Sequence, residues 1–166
     1  MLARMPVAAV LAAGLVTAAP FTSACGRPVD LTKALQITEI TNGWFDAGIV
    51  DGKNKLVPSV TFRLKNVSDD RIGSVQINAM FLRLPDNEEW DAMLTQGVSR
   101  DGLAAGASTA PITVRGKMGF TGPQPRAEMM RHRSFQDVNV RIFGKHGAQQ
   151  WVRLAEYRIG RQLLTR

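Results

Sequence analysis

Apolar and polar side chains alternate along several stretches of the chain between residues 35 and 160. The clearest example is SVTFRLKN, residues 59–66, in which Val60, Phe62 and Leu64 occupy every second position. Similar alternating, β-branched or aromatic runs occur at residues 35–40, 74–81, 111–116, 137–143 and 151–159. A period of two places one set of side chains on a single face of a β-strand. Each run therefore predicts a strand with one buried face.

Turn-forming sequences separate these runs. They are residues 51–55, 66–70, 84–87, 101–108, 120–125 and 144–147, all of them rich in Gly, Asn, Asp or Pro. One-sided strands spaced by such turns are typical of antiparallel sandwiches. We therefore predict an all-β fold, an antiparallel immunoglobulin-like β-sandwich of seven to nine strands over residues 35–160. Its predicted core contains Val60, Phe62, Leu64, Val75, Ile77, Phe81, Val138 and Val140.

Helical periodicity is weak in the rest of the chain. PRAEMMRHR, residues 125–133, predicts a short helix. Residues 26–34 predict a linker that leads into the first strand, and RQLLTR, residues 161–166, predicts a basic tail that is either a last turn or disordered. The folded domain is therefore expected to begin near residue 35 and to end near residue 160.

The N-terminal segment is apolar. One charge, Arg4, precedes a stretch from Met5 through Ala24 that contains no charged residue. A positive start, an apolar centre and small residues before a cleavage point are the parts of a secretory signal. The stretch ends in Thr22-Ser23-Ala24-Cys25, which resembles the end of a bacterial lipoprotein signal, where small residues precede a lipid-modified cysteine. Residues 1–25 are thus predicted to be a signal peptide or a membrane-anchor helix, and the resemblance implies lipidation at Cys25.

Two alternatives to lipidation remain open. A stretch of roughly 20 uncharged residues is just long enough to cross a hydrocarbon core of about 30 Å, so the segment can stay in place as an uncleaved anchor. Simple cleavage after Ala24 would instead release a soluble product. In each case the positive-inside tendency keeps Arg4 in the cytoplasm and exports residues 26–166. We predict an anchored protein on the periplasmic side of a bacterial membrane.

The composition narrows the possible chemistry. The 166-residue chain has 21 Lys and Arg against 14 Asp and Glu, a net charge of +7. A single cysteine excludes an intrachain disulfide, and His132 and His146 lie in basic or glycine-containing runs typical of exposed loops, so no metal site is predicted. The sequence has no Gly-x-Ser-x-Gly elbow and no glycine loop for phosphates. We therefore predict neither a cofactor nor catalysis.

Basic residues gather in two places. Arg126, Arg131 and Arg133 fall in one predicted loop, and Arg153 and Arg158 lie near the C-terminus. Such clusters attract anionic lipid headgroups, acidic proteins or nucleic acid. Export excludes nucleic acid, and a solvated basic surface without a partner remains an alternative. We predict that these five arginines face the membrane or a partner protein. The candidate aromatic anchors beside them are Trp44, Trp90 and Trp151.

The middle of the chain resembles a known envelope module. A strand ends in Lys65-Asn66-Val67-Ser68, and after a polar turn a second strand reaches a Leu-x-Leu-x-Asp stretch at residues 82–86. Gly106-Ala107-Ser108 then forms a turn before another strand. Over about residues 58–116 this order resembles the FxLYD-type immunoglobulin-like domains of bacterial lipoproteins. The resemblance implies a binding or scaffolding module and carries no active site.

These observations lead to three functional hypotheses. The first is a non-catalytic, exported, membrane-tethered binding or scaffold protein that serves as an accessory subunit of an integral membrane protein complex. The second is a periplasmic small-ligand or lipid binding protein. The third is an enzyme of an unrecognised type. A stoichiometric partner in gently solubilised membranes would favour the first, and a co-purified small molecule would favour the second.

Overall fold

The structure is a computed structural model, and it describes residues 28–164. The predicted N-terminal helix and Cys25 lie outside these residues. The elements within residues 28–164 are α1 Leu31–Ala34, β1 Leu35–Val50, β2 Lys53–Asn66, β3 Val75–Arg83, β4 Glu88–Val98, β5 Ile112–Arg115, β6 Phe120–Gly122, α2 Arg126–Met129, β7 Val138–His146, β8 Val152–Arg158 and β9 Leu163–Leu164.

The strands form two sheets. The first has the order β5-β2-β1-β9, and β6 pairs with a different part of β2, residues 54–56. The second has the order β4-β3-β7-β8. Every pair is antiparallel except β1 with β9. One hydrophobic core contains residues from both sheets. The prediction of an all-β sandwich is therefore confirmed.

The alternation in the sequence identified the buried face. All eight predicted core residues, from Val60 on β2 to Val140 on β7, are fully buried. Trp44 of β1 and Ile142 of β7 join them in the same core. The period of two located these residues because their neighbours on the same strand, such as Thr61 and Arg63 of β2, point to the other, less buried face.

The folded unit extends beyond residues 35–160 at both ends. Residues 31–34, predicted as part of a linker, form α1, in which Leu31 is buried and the Asp30 carboxylate caps the helix by accepting from the Thr32 N–H at 3.1 Å. Residues 163–164, predicted as part of a basic tail, form β9, which pairs with Trp44 and Phe45 of β1. Both corrections involve elements of four residues or fewer, which are too short to show a periodic pattern.

Three further elements differ from the predictions. β4 was not predicted, because its apolar residues fall on both faces: Met93 packs against the core, whereas Leu94 is exposed. β6 lies in a segment predicted as a turn. The helix predicted over residues 125–133 is limited to α2, since the chain bends away after Met129.

Candidate functional site

Residues 28–34 bring the chain into one end of the sandwich. The side-chain amide of Gln149, with its nitrogen and oxygen assigned so that both are satisfied, donates to the Val29 carbonyl at 3.0 Å and accepts from the Val29 N–H at 2.9 Å. The Val67 N–H donates to the Ala34 carbonyl at 2.9 Å. Gln149 lies just beyond His146, the last residue of β7. We call this end of the sandwich the N-terminal end and the opposite one the distal end.

The loop that joins β6 to β7, residues 123–137, lies at the distal end. β7 begins at Val138, directly after this loop, and finishes at His146 at the N-terminal end. A strand of 9 residues spans about 26 Å at roughly 3.3 Å per step. The loop is therefore separated from the point where residues 28–34 join the fold by about the length of the sandwich.

Arg161 holds this loop against the sandwich. Its guanidinium donates to the Asp137 carboxylate at 2.6 Å, to the Met130 carbonyl at 3.1 Å and to the Phe135 carbonyl at 3.2 Å. The hydrogen bond from Arg161, together with that from Arg158, holds the pKa of Asp137 below its ordinary value. A lowered pKa means that this carboxylate stabilises the fold at neutral pH and loses that effect as the pH falls through the lowered pKa. Arg161 was predicted to belong to a tail, so sequence reasoning missed this role.

Four aromatic side chains meet beneath the loop. The ring centroids are 4.5 Å apart for Trp44 and Phe135, 4.4 Å for Phe120 and Phe135, and 5.1 Å for Trp90 and Phe120. These separations are typical of favourable aromatic pairs. Because the four residues come from β1, β4, β6 and the loop, the cluster joins both sheets at the distal end.

A cleft of about 140 Å³ opens beside this cluster. It is lined by residues 120–124, Met129, His132, Ser134 and Phe135. The His132 Nδ1 and the Ser134 hydroxyl are 2.7 Å apart, and the Ser134 N–H donates to the same Nδ1 at 3.3 Å. These bonds shape a local turn that places two polar groups at the wall of a cleft of mixed polar and apolar lining.

Exposed aliphatic side chains adjoin the loop. Ile49 and Val50, next to the β1–β2 turn, are 70% and 40% exposed. The Asn54 side-chain amide, on the other side of this turn, donates to the Gln124 carbonyl of the loop at 2.9 Å. We define the distal surface as Ile49, Val50, Arg131, Arg133 and the cleft. The two aliphatic residues were not singled out in the sequence.

The five predicted arginines do not lie together. Arg126 pairs with Asp46 at 2.5 Å, Arg158 pairs with Asp137, and Arg153 lies on β8 toward the N-terminal end, 3.4 Å from Glu156. Arg131 and Arg133 are exposed, and neither has an ion-pair partner within residues 28–164. The five arginines therefore do not form one surface. At the distal end, Arg131 and Arg133 are those of the five without an ion-pair partner among residues 28–164.

The three tryptophans also separate. Trp44 is fully buried and Trp90 is half-buried against the core, so both belong to the aromatic cluster. Trp151 is 39% exposed at the N-terminal end, where the Lys145 ammonium lies 5.8 Å from the centre of its ring. Trp151 alone among them has the exposure that a surface anchor requires.

Two negative findings concern the described chain. Residues 28–164 contain no group of three or more His, Cys, Asp or Glu side chains placed to hold a metal ion. In the same part of the chain, no helix has the length and apolar character needed to cross a membrane.

No protein-family model matches the chain, and neither does any curated protein sequence. Among solved structures, the chain is similar to a putative ApaA protein from Bordetella pertussis, with 15% identity and a TM-score of 0.46 over 76% of this chain and 93% of that one. It is also similar to the structural genomics target SoR45, with 10% identity and a TM-score of 0.45 over 78% and 88% of the two chains. A β-glucuronidase from Bacteroides uniformis aligns with 12% identity and a TM-score of 0.41. That alignment covers 75% of this chain but only 12% of the enzyme. We draw no functional conclusion from similarities at this level.

Proposed function

We propose that this protein is a non-catalytic, exported binding protein, tethered to the periplasmic side of a bacterial membrane, that serves as an accessory subunit of an integral membrane protein complex. The observation that carries the proposal is that the point where the chain joins the sandwich and the candidate binding surface lie at opposite ends of the domain. The chain joins the sandwich at its N-terminal end, whereas the cleft beside the aromatic cluster and the two free arginines lie at the distal end.

The tether in this proposal is short. Cys25 is the proposed lipidation site, and Val29 is already bound to Gln149 of the domain. Only residues 26–28 lie between them, and the four peptide steps from Cys25 to Val29 reach at most about 14 Å. The N-terminal end is therefore held close to the bilayer, while the distal end points away from it.

This geometry favours a protein over lipid as the partner of Arg131 and Arg133. The distal end is about 26 Å from the N-terminal end along β7. Attraction between exposed charges is largely screened beyond about 8–10 Å at physiological ionic strength. Lipid headgroups beneath a tethered domain therefore lie too far away to attract these two side chains, and we propose an acidic surface of an integral membrane protein in their place.

The size of the cleft supports a protein partner as well. Sites for free small ligands usually enclose about 300–1,000 Å³, and the cleft beside Phe120 and Phe135 measures about 140 Å³. A volume of about 150 Å³ holds a single benzene-sized group. We therefore propose that this cleft receives one side chain of the partner rather than a free small ligand.

We further infer that the sandwich is immunoglobulin-like. The orders β5-β2-β1 and β4-β3-β7-β8 correspond to strands E-B-A and C′-C-F-G of that architecture. This correspondence supports the resemblance over residues 58–116 to FxLYD-type domains, which implies a binding or scaffolding module.

An Arg131→Gln/Arg133→Gln double variant is expected to bind its membrane partner about tenfold more weakly, with a smaller dependence on salt. Rim charges of this kind mainly accelerate association and orient the partner. The measurement is co-purification of partners from gently solubilised native membranes across a series of salt concentrations.

A Lys65→Gln/Arg100→Gln double variant is the matched control. Lys65 and Arg100 are exposed at the N-terminal end and have no ion-pair partner within the described residues, so the control removes the same net charge from the other end. It is expected to bind like the wild type. Equal losses in both variants would rule out the distal surface, and wild-type extracts without any partner at low salt would rule out the accessory-subunit role.

A Cys25→Ser variant is expected to lose acyl modification. Intact mass spectrometry of the wild-type protein should give a mature chain that starts at Cys25 and carries acyl groups, because the cysteine sulfur is the proposed attachment point. The serine variant should keep an unmodified N-terminal segment. A wild-type mass that corresponds to an unmodified chain from Met1 would eliminate lipidation and leave the uncleaved anchor as the tether.

A further inference from the structure

The N-terminal end has an exposed apolar surface of its own. Trp151 is 39% exposed and Val67 is 48% exposed. The Lys145 ammonium lies over the Trp151 ring. Both apolar residues adjoin the segment where the chain joins the fold, since Val67 bonds Ala34 and Trp151 follows the turn that binds Val29. We call Val67, Lys145 and Trp151 the N-terminal face.

We infer that the N-terminal face rests on the lipid headgroups of the membrane to which the protein is tethered. This inference depends on the proposed tether, because it uses the short distance between Cys25 and Val29. A tryptophan beside a lysine suits this position, since the indole is apolar over most of its surface and polar at one edge, and such rings concentrate at headgroup depth. The aliphatic part of Lys145 can cover apolar surface while its ammonium reaches water or phosphate.

Electrostatic attraction contributes little at this end. Its anionic side chains are Asp30, Asp69, Asp70 and Asp101, and its cationic ones are Lys33, Lys65, Arg71, Arg100, Lys145 and Arg153, with Arg27 in the tether. Since these charges leave only a small positive excess, contact with lipid depends mainly on the exposed apolar side chains and on proximity. A short tether raises the effective concentration of the surface at the bilayer to the millimolar range, so weak intrinsic affinity is sufficient. The contact is accordingly expected to be only weakly sensitive to salt.

The test uses the full chain reconstituted in vesicles of phosphatidylcholine and phosphatidylglycerol, some of which carry bromine near the headgroup end of the acyl chains. Flotation with the vesicles measures the tether, and quenching of tryptophan fluorescence by bromine measures contact. Wild-type protein should float and be quenched, and quenching should persist at high salt. A Trp151→Phe variant should float equally and lose the quenching, whereas a Trp90→Phe variant should keep it, because Trp90 lies in the aromatic cluster.

The other outcomes separate this inference from the proposed function. Protein that floats without quenching, or with quenching that survives Trp151→Phe, would overturn the inference while leaving the tether intact. Trp151 that is shielded from an aqueous quencher but untouched by bromine would also overturn it, since a protein would then cover this face. Protein that fails to float would contradict the tether itself, and the inference with it.

Discussion

An Asn66→Asp variant is expected to have a free energy of unfolding about 3–5 kcal/mol lower than the wild type at neutral pH. Asn66 is fully buried, and its side-chain amide donates to the Asp70 and Leu103 carbonyls at 2.8 and 2.9 Å. Its amide oxygen accepts from the Ser68 N–H and hydroxyl at 3.0 and 2.7 Å. A carboxylate of the same shape would set a charged oxygen against two carbonyl oxygens. Two hydrogen bonds from the amide nitrogen would thus become repulsive contacts between oxygens, in a site that water does not reach.

The cost of this substitution should depend on pH. Burial and the facing carbonyls raise the pKa of the introduced carboxyl group above its unfolded value of about 3.9. The penalty is therefore fully present above the raised pKa and shrinks as the pH falls toward the unfolded value, where the protonated group can donate to one carbonyl. Urea unfolding of variant and wild type from pH 7 to pH 4 should show their difference narrowing.

Asn87→Asp is the matched control for this prediction. This variant makes the same amide-to-acid change in an exposed turn. Asn87 has a φ of 56°, which asparagine and aspartate both tolerate. Its effect is expected to stay within about 0.5 kcal/mol. If Asn66→Asp were equally mild, Asn66 could not be the buried link between the loops at the N-terminal end.

A Phe62→Ala variant is expected to lose about 3–5 kcal/mol of unfolding free energy. Phe62 is fully buried on β2, which pairs with β1 on one side and with β5 on the other, where Phe62 faces Ile112. Truncation removes the transfer energy of the ring and leaves a cavity, because a strand held on both sides cannot collapse into the space. Chemical denaturation monitored by circular dichroism measures the change.

Leu94→Ala provides the comparison for Phe62→Ala. Leu94 is a large apolar residue on β4 that is 69% exposed, so its truncation opens no cavity and should cost about 0.5 kcal/mol or less. A cost below 1 kcal/mol for Phe62→Ala would contradict the placement of this ring in the core. Neither residue belongs to the distal surface, so partner binding by folded Leu94→Ala protein should be unchanged.

The two ends of the sandwich have different structural bases. At the N-terminal end, Asn66 ties the loops after β2 and β4 together through hydrogen bonds to Asp70, Leu103 and Ala107. At the distal end, Arg161 and the aromatic cluster hold the loop that carries Arg131 and Arg133. Because no hydrogen bond of this kind joins the two ends within residues 28–164, a substitution at one end can be tested for function without disturbing the other.

The sequence predicted the parts of the fold that repeat a local pattern. Val60, Phe62 and Leu64 recur with a period of two, and this spacing depends only on the geometry of one strand. It therefore identified the sandwich and the eight core residues without knowledge of strand pairing. It could not find β9, whose pairing with β1 depends on residues more than a hundred positions away, or β4, whose apolar side chains point both ways.

The candidate site depended on the tertiary structure. The aromatic cluster forms because β1, β4, β6 and the loop that joins β6 to β7 converge. The sequence around any one of its members, Trp44, Trp90, Phe120 and Phe135, gives no sign of the other three. The five arginines were grouped by their positions in the chain, yet antiparallel pairing carried Arg153 toward one end and Arg131 and Arg133 to the other. Composition by itself determined that the protein is basic and has an apolar N-terminal segment. Only long-range strand pairing decided that the free arginines stand at the end opposite to residues 28–34, because the direction of each strand is set by its partners.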